Sequence, residues 1–163
     1  VLDKSKKPTD PDTVVWHSQR GYGRLDVGHA LKLLKAERVR PAAPIQNAAG
    51  WAYETLGFYG RHQYVFNGRK NLQLDITVTW HRKLTRYSAI SYVQEAPRFN
   101  LKVDIKSPNG KILFSEYDAN NTLRKARLVL PEDGLYTLEI RNRVYQQDRS
   151  YAMAFELTEP RTE

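Results

Sequence analysis

Hydroxyls, imidazoles and loop-borne aromatic or cationic groups are the side chains of this sequence that could do chemistry. The chain has seven serines, Ser5, Ser18, Ser88, Ser91, Ser107, Ser115 and Ser150. A nucleophilic serine needs a histidine base, an orienting carboxylate and a setting, such as a helix start, that supplies oxyanion donors. None of the seven stands in such a motif: Ser107-Pro108 reads as a turn and Ser150-Tyr151 as the beginning of a strand. The four histidines, His17, His29, His62 and His81, show no His-x-x-x-His spacing for zinc and read as packing or surface groups. Asp118-Ala119-Asn120-Asn121 is rich in oxygen. It lacks the alternating ligands and bidentate glutamate of a calcium loop, so it reads as a turn held by side-chain to backbone hydrogen bonds. With no cysteine in the chain, disulfides, thiolate metal sites and cysteine catalysis are excluded. The sequence assigns no catalytic residue, no metal and no cofactor.

Contact chemistry is better represented. Tyr87, Tyr92 and Tyr145 fall in or near loops, and Arg82 and Lys83 add positive charge beside the first two. The long segment from Arg82 to Arg98 reads as a binding loop or interface pad. The net charge of +8 raises the question of a polyanionic partner. Its distribution argues against nucleic acid. Residues 1–40 carry nine Lys/Arg against five Asp/Glu and residues 41–163 carry seventeen against thirteen, a surplus of four in each part. That spread describes a solvated basic face.

The elements that must position these groups are strands. Leu72, Leu74, Ile76, Val78 and Trp80 alternate with Gln73, Asp75, Thr77 and Thr79, the period of a half-buried strand. Phe99, Leu101, Val103 and Ile105 repeat the pattern, and Ser107-Pro108-Asn109-Gly110 supplies a hairpin turn before a return strand from Lys111 to Tyr117. Further alternation at Ala126, Leu128 and Leu130, at Tyr136, Leu138 and Ile140, and at Tyr151, Met153, Phe155 and Leu157 completes the series. The class expected is all-β: an antiparallel, jelly-roll-like β-sandwich of about eight strands. Ile45 to Leu56 has no clean period and is expected to be a connector lying across the sandwich. No apolar run approaches the ~20 residues that span a bilayer.

Upstream the character changes. Gly21 and Gly23 bracket a tight turn, Asp26 can cap a helix, and Leu25, Ala30, Leu31 and Leu34 follow at helical spacing with Lys32, Lys35 and Arg38 toward its end. Arg40-Pro41-Ala42-Ala43-Pro44 stops the helix. Two parts are therefore expected: residues 1–40 as a short helical appendage and residues 41–163 as the sandwich.

The run Gly21-Tyr22-Gly23-Arg24-Leu25-Asp26, followed by Ala30-Leu31, resembles the closing segment of the catalytic domain of subtilisin-like serine proteases. Residues 74–80, residues 99–105 with the Ser107–Gly110 turn, Asn120-Asn121 and Pro131–Leu138 resemble, in order, the β-rich domains that follow many such catalytic domains. His81-Arg82-Lys83 departs from that pattern, which often carries an acidic pair there. The resemblance implies that residues 1–40 are the last turn and helix of a protease domain whose catalytic residues lie upstream of a severed end. It further implies that residues 41–163 form a non-catalytic accessory domain that stabilises or orients that protease domain or holds protein substrate. Its partners would be its own protease domain and a protein substrate, and a secreted or cell-envelope location follows from the resemblance alone. The alternative is an autonomous module that binds carbohydrate or another ligand.

Overall fold

The computed structural model describes residues 35–80, 84–86, 92–94, 101–117, 122–143 and 148–159, with 84–86 and 92–94 described by their backbone. Period-two alternation becomes strand throughout. Eight long strands, β3 (Ala49–Leu56), β4 (Arg61–Gly68), β5 (Gln73–Trp80), β8 (Leu101–Lys106), β9 (Ile112–Glu116), β10 (Leu123–Val129), β11 (Gly134–Asn142) and β12 (Arg149–Thr158), make two facing sheets. Two-residue edge strands β1 (Glu37–Arg38) and β2 (Pro44–Ile45) complete sheets ordered β1-β3-β12-β5-β10 and β2-β4-β11-β8-β9. Counted over the long strands alone, the order is the alternation between sheets of a jelly roll, as the sequence predicts. β6 (Leu84–Arg86) and β7 (Tyr92–Gln94) pair with each other, so the segment expected to be a loop carries a short hairpin.

All pairings among the long strands are antiparallel, but β1 runs parallel to β3 and β2 parallel to β4. The chain switches sheets between these two edges through Ala42, whose φ is +62° and whose amide donates to the Gln63 carbonyl at 2.9 Å. Proline has no ladder donor, which suits Pro44 to an edge. Arg38, expected in the last turn of a helix, lies in β1, while residues 26–34 lie outside the described residues. The sandwich thus takes in residues from Glu37 onward, and Val39 and Ile45 are buried in its core.

The expected connector is the second correction. Ala49–Leu56 is a full strand, paired along eight residues with β12. Its inward positions are Gly50, Ala52 and Leu56, while Trp51 and Tyr53 face outward, so the apolar alternation is inverted in size. Gly50 is required by close packing: a Cβ there would stand 2.7 Å from Phe155 Cε1 and 2.9 Å from Val39 Cγ1. Between the sheets, Leu74, Ile76, Val78, Leu101, Val103, Ile105, Leu138, Ile140, Met153 and Phe155 form one continuous core. Apolar area removed from water at this scale is the dominant stabilising contribution to the fold.

The hairpin turn expected at Ser107–Gly110 is present. Gly110 takes a φ of +81°, its amide donates to the Ser107 carbonyl at 2.9 Å, and the Ser107 amide donates to the Lys111 carbonyl at 2.9 Å.

Candidate functional site

Antiparallel order brings strand ends together in a fixed way. β3 ends, β4 begins, β5 ends, β8 begins, β9 ends, β10 begins, β11 ends and β12 begins at the same end of the sandwich, as the registers Arg149↔Leu56, Tyr151↔Trp80, Arg141↔Arg61, Asn142↔Leu101 and Leu123↔Thr79 require. This loop end therefore anchors both sides of 81–100, which carries Arg82, Lys83, Tyr87 and Tyr92, and of 143–148, which carries Tyr145. Arg82, Lys83, Tyr87 and Tyr145 lie outside the described residues, as do Gly21, Gly23 and Asp26. The Tyr92 backbone is in β7, opposite Arg86. What two distant stretches of sequence offered separately thus starts and finishes at one face of the fold.

The same end displays aromatics that the sequence reading passed over. Phe58 and Tyr59 are each 64% exposed at the tip of the β3–β4 turn. That turn is tight and firmly held. The Gly60 amide donates to the Gly57 carbonyl at 2.9 Å, Asn142 Nδ2 donates to the Gly57 carbonyl at 3.1 Å, and the Asn142 amide donates to the Gly60 carbonyl at 2.9 Å. Tyr59 has a φ of +52°, a left-handed conformation that a bulky side chain adopts only at an energetic cost. The available signal was Gly57-Phe58-Tyr59-Gly60 itself, a glycine on each side of two aromatics. Tyr117, exposed just after β9 at this end, has the Arg143 guanidinium 5.2 Å from its ring centroid.

Below the loops, polar groups are buried beside apolar ones such as Leu56 and Leu101. Arg124 is 1% exposed, and its guanidinium lies 4.9 Å from the centroid of the Trp80 ring. Arg124 Nη1 donates to the Leu123 carbonyl at 3.0 Å, and Nε stands 3.8 Å from Glu116 Oε1, an ion pair that links the two sheets. Desolvated stacking of this kind is a favourable cation–π arrangement. Beside it, the Tyr64 and Tyr151 hydroxyls are 2.6 Å apart, and His62 Nδ1 is 2.9 Å from the Tyr151 hydroxyl. Burial pushes Tyr64 up to about 12, against the hydrogen bond from Tyr151, and burial together with Tyr64 pushes Tyr151 higher still. Both phenols stay protonated at neutral pH and hold the sheets together as hydrogen-bonding groups. Burial lowers the His62 pKa, and the Glu54 carboxylate works against that shift.

A second polar group lies on the outer face of the β2-β4-β11-β8-β9 sheet. Gln63, Glu139, Asp104 and Ser115 stand opposite one another across four strands. Gln63 Nε2 donates to Glu139 Oε2 at 2.8 Å, Arg141 donates to Glu139, and Lys102 Nζ is 2.7 Å from Asp104 Oδ1. Burial opposes ionisation of both carboxyls. For Glu139 it is outweighed by Gln63, Arg141 and Lys106, and for Asp104 by Lys102, Ser115 and Arg141, so both pKa values lie below the ordinary range. These carboxylates are committed to neighbours and braced across strands. Among the described residues no group of three or more His, Asp or Glu converges where a metal ion could sit. No helix among them is long and apolar enough to cross a membrane.

No known family's sequence model matches the chain, and no curated protein is matched by sequence. The chain is similar in structure to a periplasmic inhibitor of g-type lysozyme, PliG, from Aeromonas hydrophila, with 11% identity, 71% of this chain and 94% of that chain covered, and a TM-score of 0.48. It is also similar to the pre-peptidase C-terminal domain of collagenase from Bacillus anthracis, at 13% identity, with 75% and 95% covered and a TM-score of 0.45. PliG from Salmonella Typhimurium is a third, at 12% identity, with 76% and 100% covered and a TM-score of 0.45.

Proposed function

We propose that the chain is the non-catalytic β-sandwich accessory region of a subtilisin-like serine endopeptidase, and that its loop end holds protein substrate for the protease domain. One observation carries the reading: two large aromatics, Phe58 and Tyr59, stand two-thirds exposed on a rigid turn at the end where the segments bearing Tyr87, Tyr92 and Tyr145 are anchored. Aromatic side chains fixed on a stiff support give contact area at little entropic cost, which is what a protein-binding surface needs.

The segments that carry the sequence resemblance support the same reading. Residues 74–80 are β5, residues 101–105 are most of β8, and Gly134–Leu138 begins β11, all strands with partners on both sides. The chain joins the sandwich at Glu37, opposite Gly50 at the far end of β3 from the loops. Six residue steps from Gly50 to Leu56 at ~3.3 Å each put about 20 Å between that junction and the loop end. The junction therefore lies at the opposite end of β3 from the exposed aromatics.

Purified residues 1–163 should retain denatured casein on a sensor surface and should neither hydrolyse it nor react with a fluorophosphonate probe. Replacing Phe58 and Tyr59 together by serine should weaken retention about tenfold or more, since aromatic anchors dominate such interfaces. Inhibitor-sensitive hydrolysis by this chain, or retention indifferent to the double substitution, would overturn the proposal.

A further inference from the structure

The end opposite the loops is built from short turns, and between two of them lies a cavity of about 270 Å³. One wall is the β2–β3 connection with Gln46 and Asn47, and the other is the end of β4 with Asn67 and Arg69, joined by Glu159. The floor is the apolar edge of the core, chiefly Phe66, Leu72 and Leu157.

Both walls are fixed before any ligand arrives. The Leu157 amide donates to the Ala48 carbonyl at 2.6 Å, and Asn47 Nδ2 donates to Glu37 Oε2. In the facing turn the Leu72 amide donates to the Arg69 carbonyl at 3.1 Å, the Asn71 amide to the Leu130 carbonyl at 2.8 Å, and the Lys70 amide to Asp133 Oδ1 at 2.6 Å. Asn71 takes a φ of +70°, which this residue type tolerates better than most.

The chemistry of the lining is specific. Gln46, Asn47, Asn67, Arg69 and Glu159 are all planar polar groups, and three of them are carboxamides that donate and accept alike. Arg69 Nη2 meets Glu159 Oε1 at 3.4 Å with both side chains about three-quarters exposed, a weak pair that can turn toward a ligand. Their charges cancel, in a chain of net charge +8. A phosphate or carboxylate would face Glu159, and an ammonium would face Arg69. A neutral hydroxyl, which is donor and acceptor at once, satisfies both and matches the amides as well. The volume lies just below the ~300 Å³ at which drug-sized pockets begin, which leaves room for a single ring.

We propose that this cavity binds one neutral sugar residue, the exposed ring of a glycan, with its hydroxyls on Asn67, Arg69, Glu159 and the Gln46 amide and its C–H face on the apolar floor. The site is separate from the loop end and does not depend on what that end binds.

The test is an ¹H–¹⁵N chemical-shift titration of residues 1–163 with the methyl glycosides of glucose, galactose and mannose and with N-acetylglucosamine, taken to tens of millimolar. At least one sugar should give saturable shifts at the amides of Asn47, Asn67 and Arg69. Asn67→Ala and Arg69→Ala should each raise its Kd about tenfold, because a polar site that loses a partner group leaves hydroxyls unpaired. Both residues are exposed, and unchanged spectra elsewhere will establish that the variants fold. Four results would overturn the proposal: no saturable shift with any sugar, an equal response to the amidated tripeptide Gly-Leu-Gly, binding unaltered in both variants, or shifts confined to Phe58 and Tyr59.

Discussion

The two ends of the sandwich differ in how many polar groups they bury. At the turn end apolar side chains fit closely around Gly68, where an added Cβ would stand 2.5 Å from Leu130 Cδ1 and 2.6 Å from Tyr136 Cε2. At the loop end the interior holds His62, Tyr64, Trp80, Arg124, Asn142 and Tyr151, joined by hydrogen bonds, stacking and an ion pair. One end is held by shape and the other by polar connections. Shape complementarity tolerates no added volume, whereas a polar network tolerates change only where every donor keeps an acceptor. The end that carries exposed aromatics is thus braced by directional bonds.

Adding one methyl group at each end separates the two behaviours most strongly. Gly68→Ala forces a carbon into the Tyr136 ring and Leu130 and should cost about 1–3 kcal/mol, the usual penalty of overpacking. Gly57→Ala, whose new carbon would meet Asp148 Oδ1 at 3.7 Å, an ordinary contact, should leave stability within about 0.5 kcal/mol. Urea unfolding of the two variants measures both. Equal costs would erase the contrast.

The same contrast explains which elements could be read from sequence. β5 was plain because its inward residues are large and apolar and its outward ones polar, so size and polarity change together. β3 was missed because tight packing against Val39 and Phe155 admits only Gly50 at one inward position and places the bulky Trp51 and Tyr53 outside. The hairpin of β6 and β7 has three residues per strand, too few for a period to appear. Tyr87, Tyr92 and Tyr145 stand in separate stretches of sequence, and the fact that their segments share an end depends on pairings such as Tyr151↔Trp80, between residues 71 apart, that no local pattern encodes. Phe58 and Tyr59 escaped because aromatics ahead of an alternating run pass for the start of a strand.

Proton uptake is the next probe, because only the loop end has a histidine wired into its interior among the described residues. Burial holds the folded pKa of His62 below its ordinary 6.5, so the folded state prefers the neutral ring. Well above pH 6.5 neither state is charged at this residue and stability is unaffected by it. As pH falls through 6.5 the unfolded chain takes up the proton first, and the fold loses stability until the folded pKa has also been passed, after which the loss is constant. The difference in unfolding free energy between the native chain and His62→Gln should therefore shift against the native chain between pH 7 and 5 and be flat above 7. A flat difference across the whole range would mean that burial does not distinguish the two protonation states of His62.

The smallest effect tests whether the exposed tip is built for stability or for contact. Tyr59 occupies a left-handed backbone conformation that asparagine visits far more readily, and its side chain is mostly exposed. If the tip served the fold, tyrosine would be a poor choice there. Tyr59→Asn should raise stability by a few tenths of a kcal/mol, up to about 1, by relieving that strain, while weakening retention of denatured casein. Thermal unfolding and the sensor measurement on the same variant read the two effects independently. A variant that is both less stable and unchanged in retention would show that the ring packs onto its turn after all. The loop end would then differ from the turn end only in the polarity of its interior, with no binding surface above it.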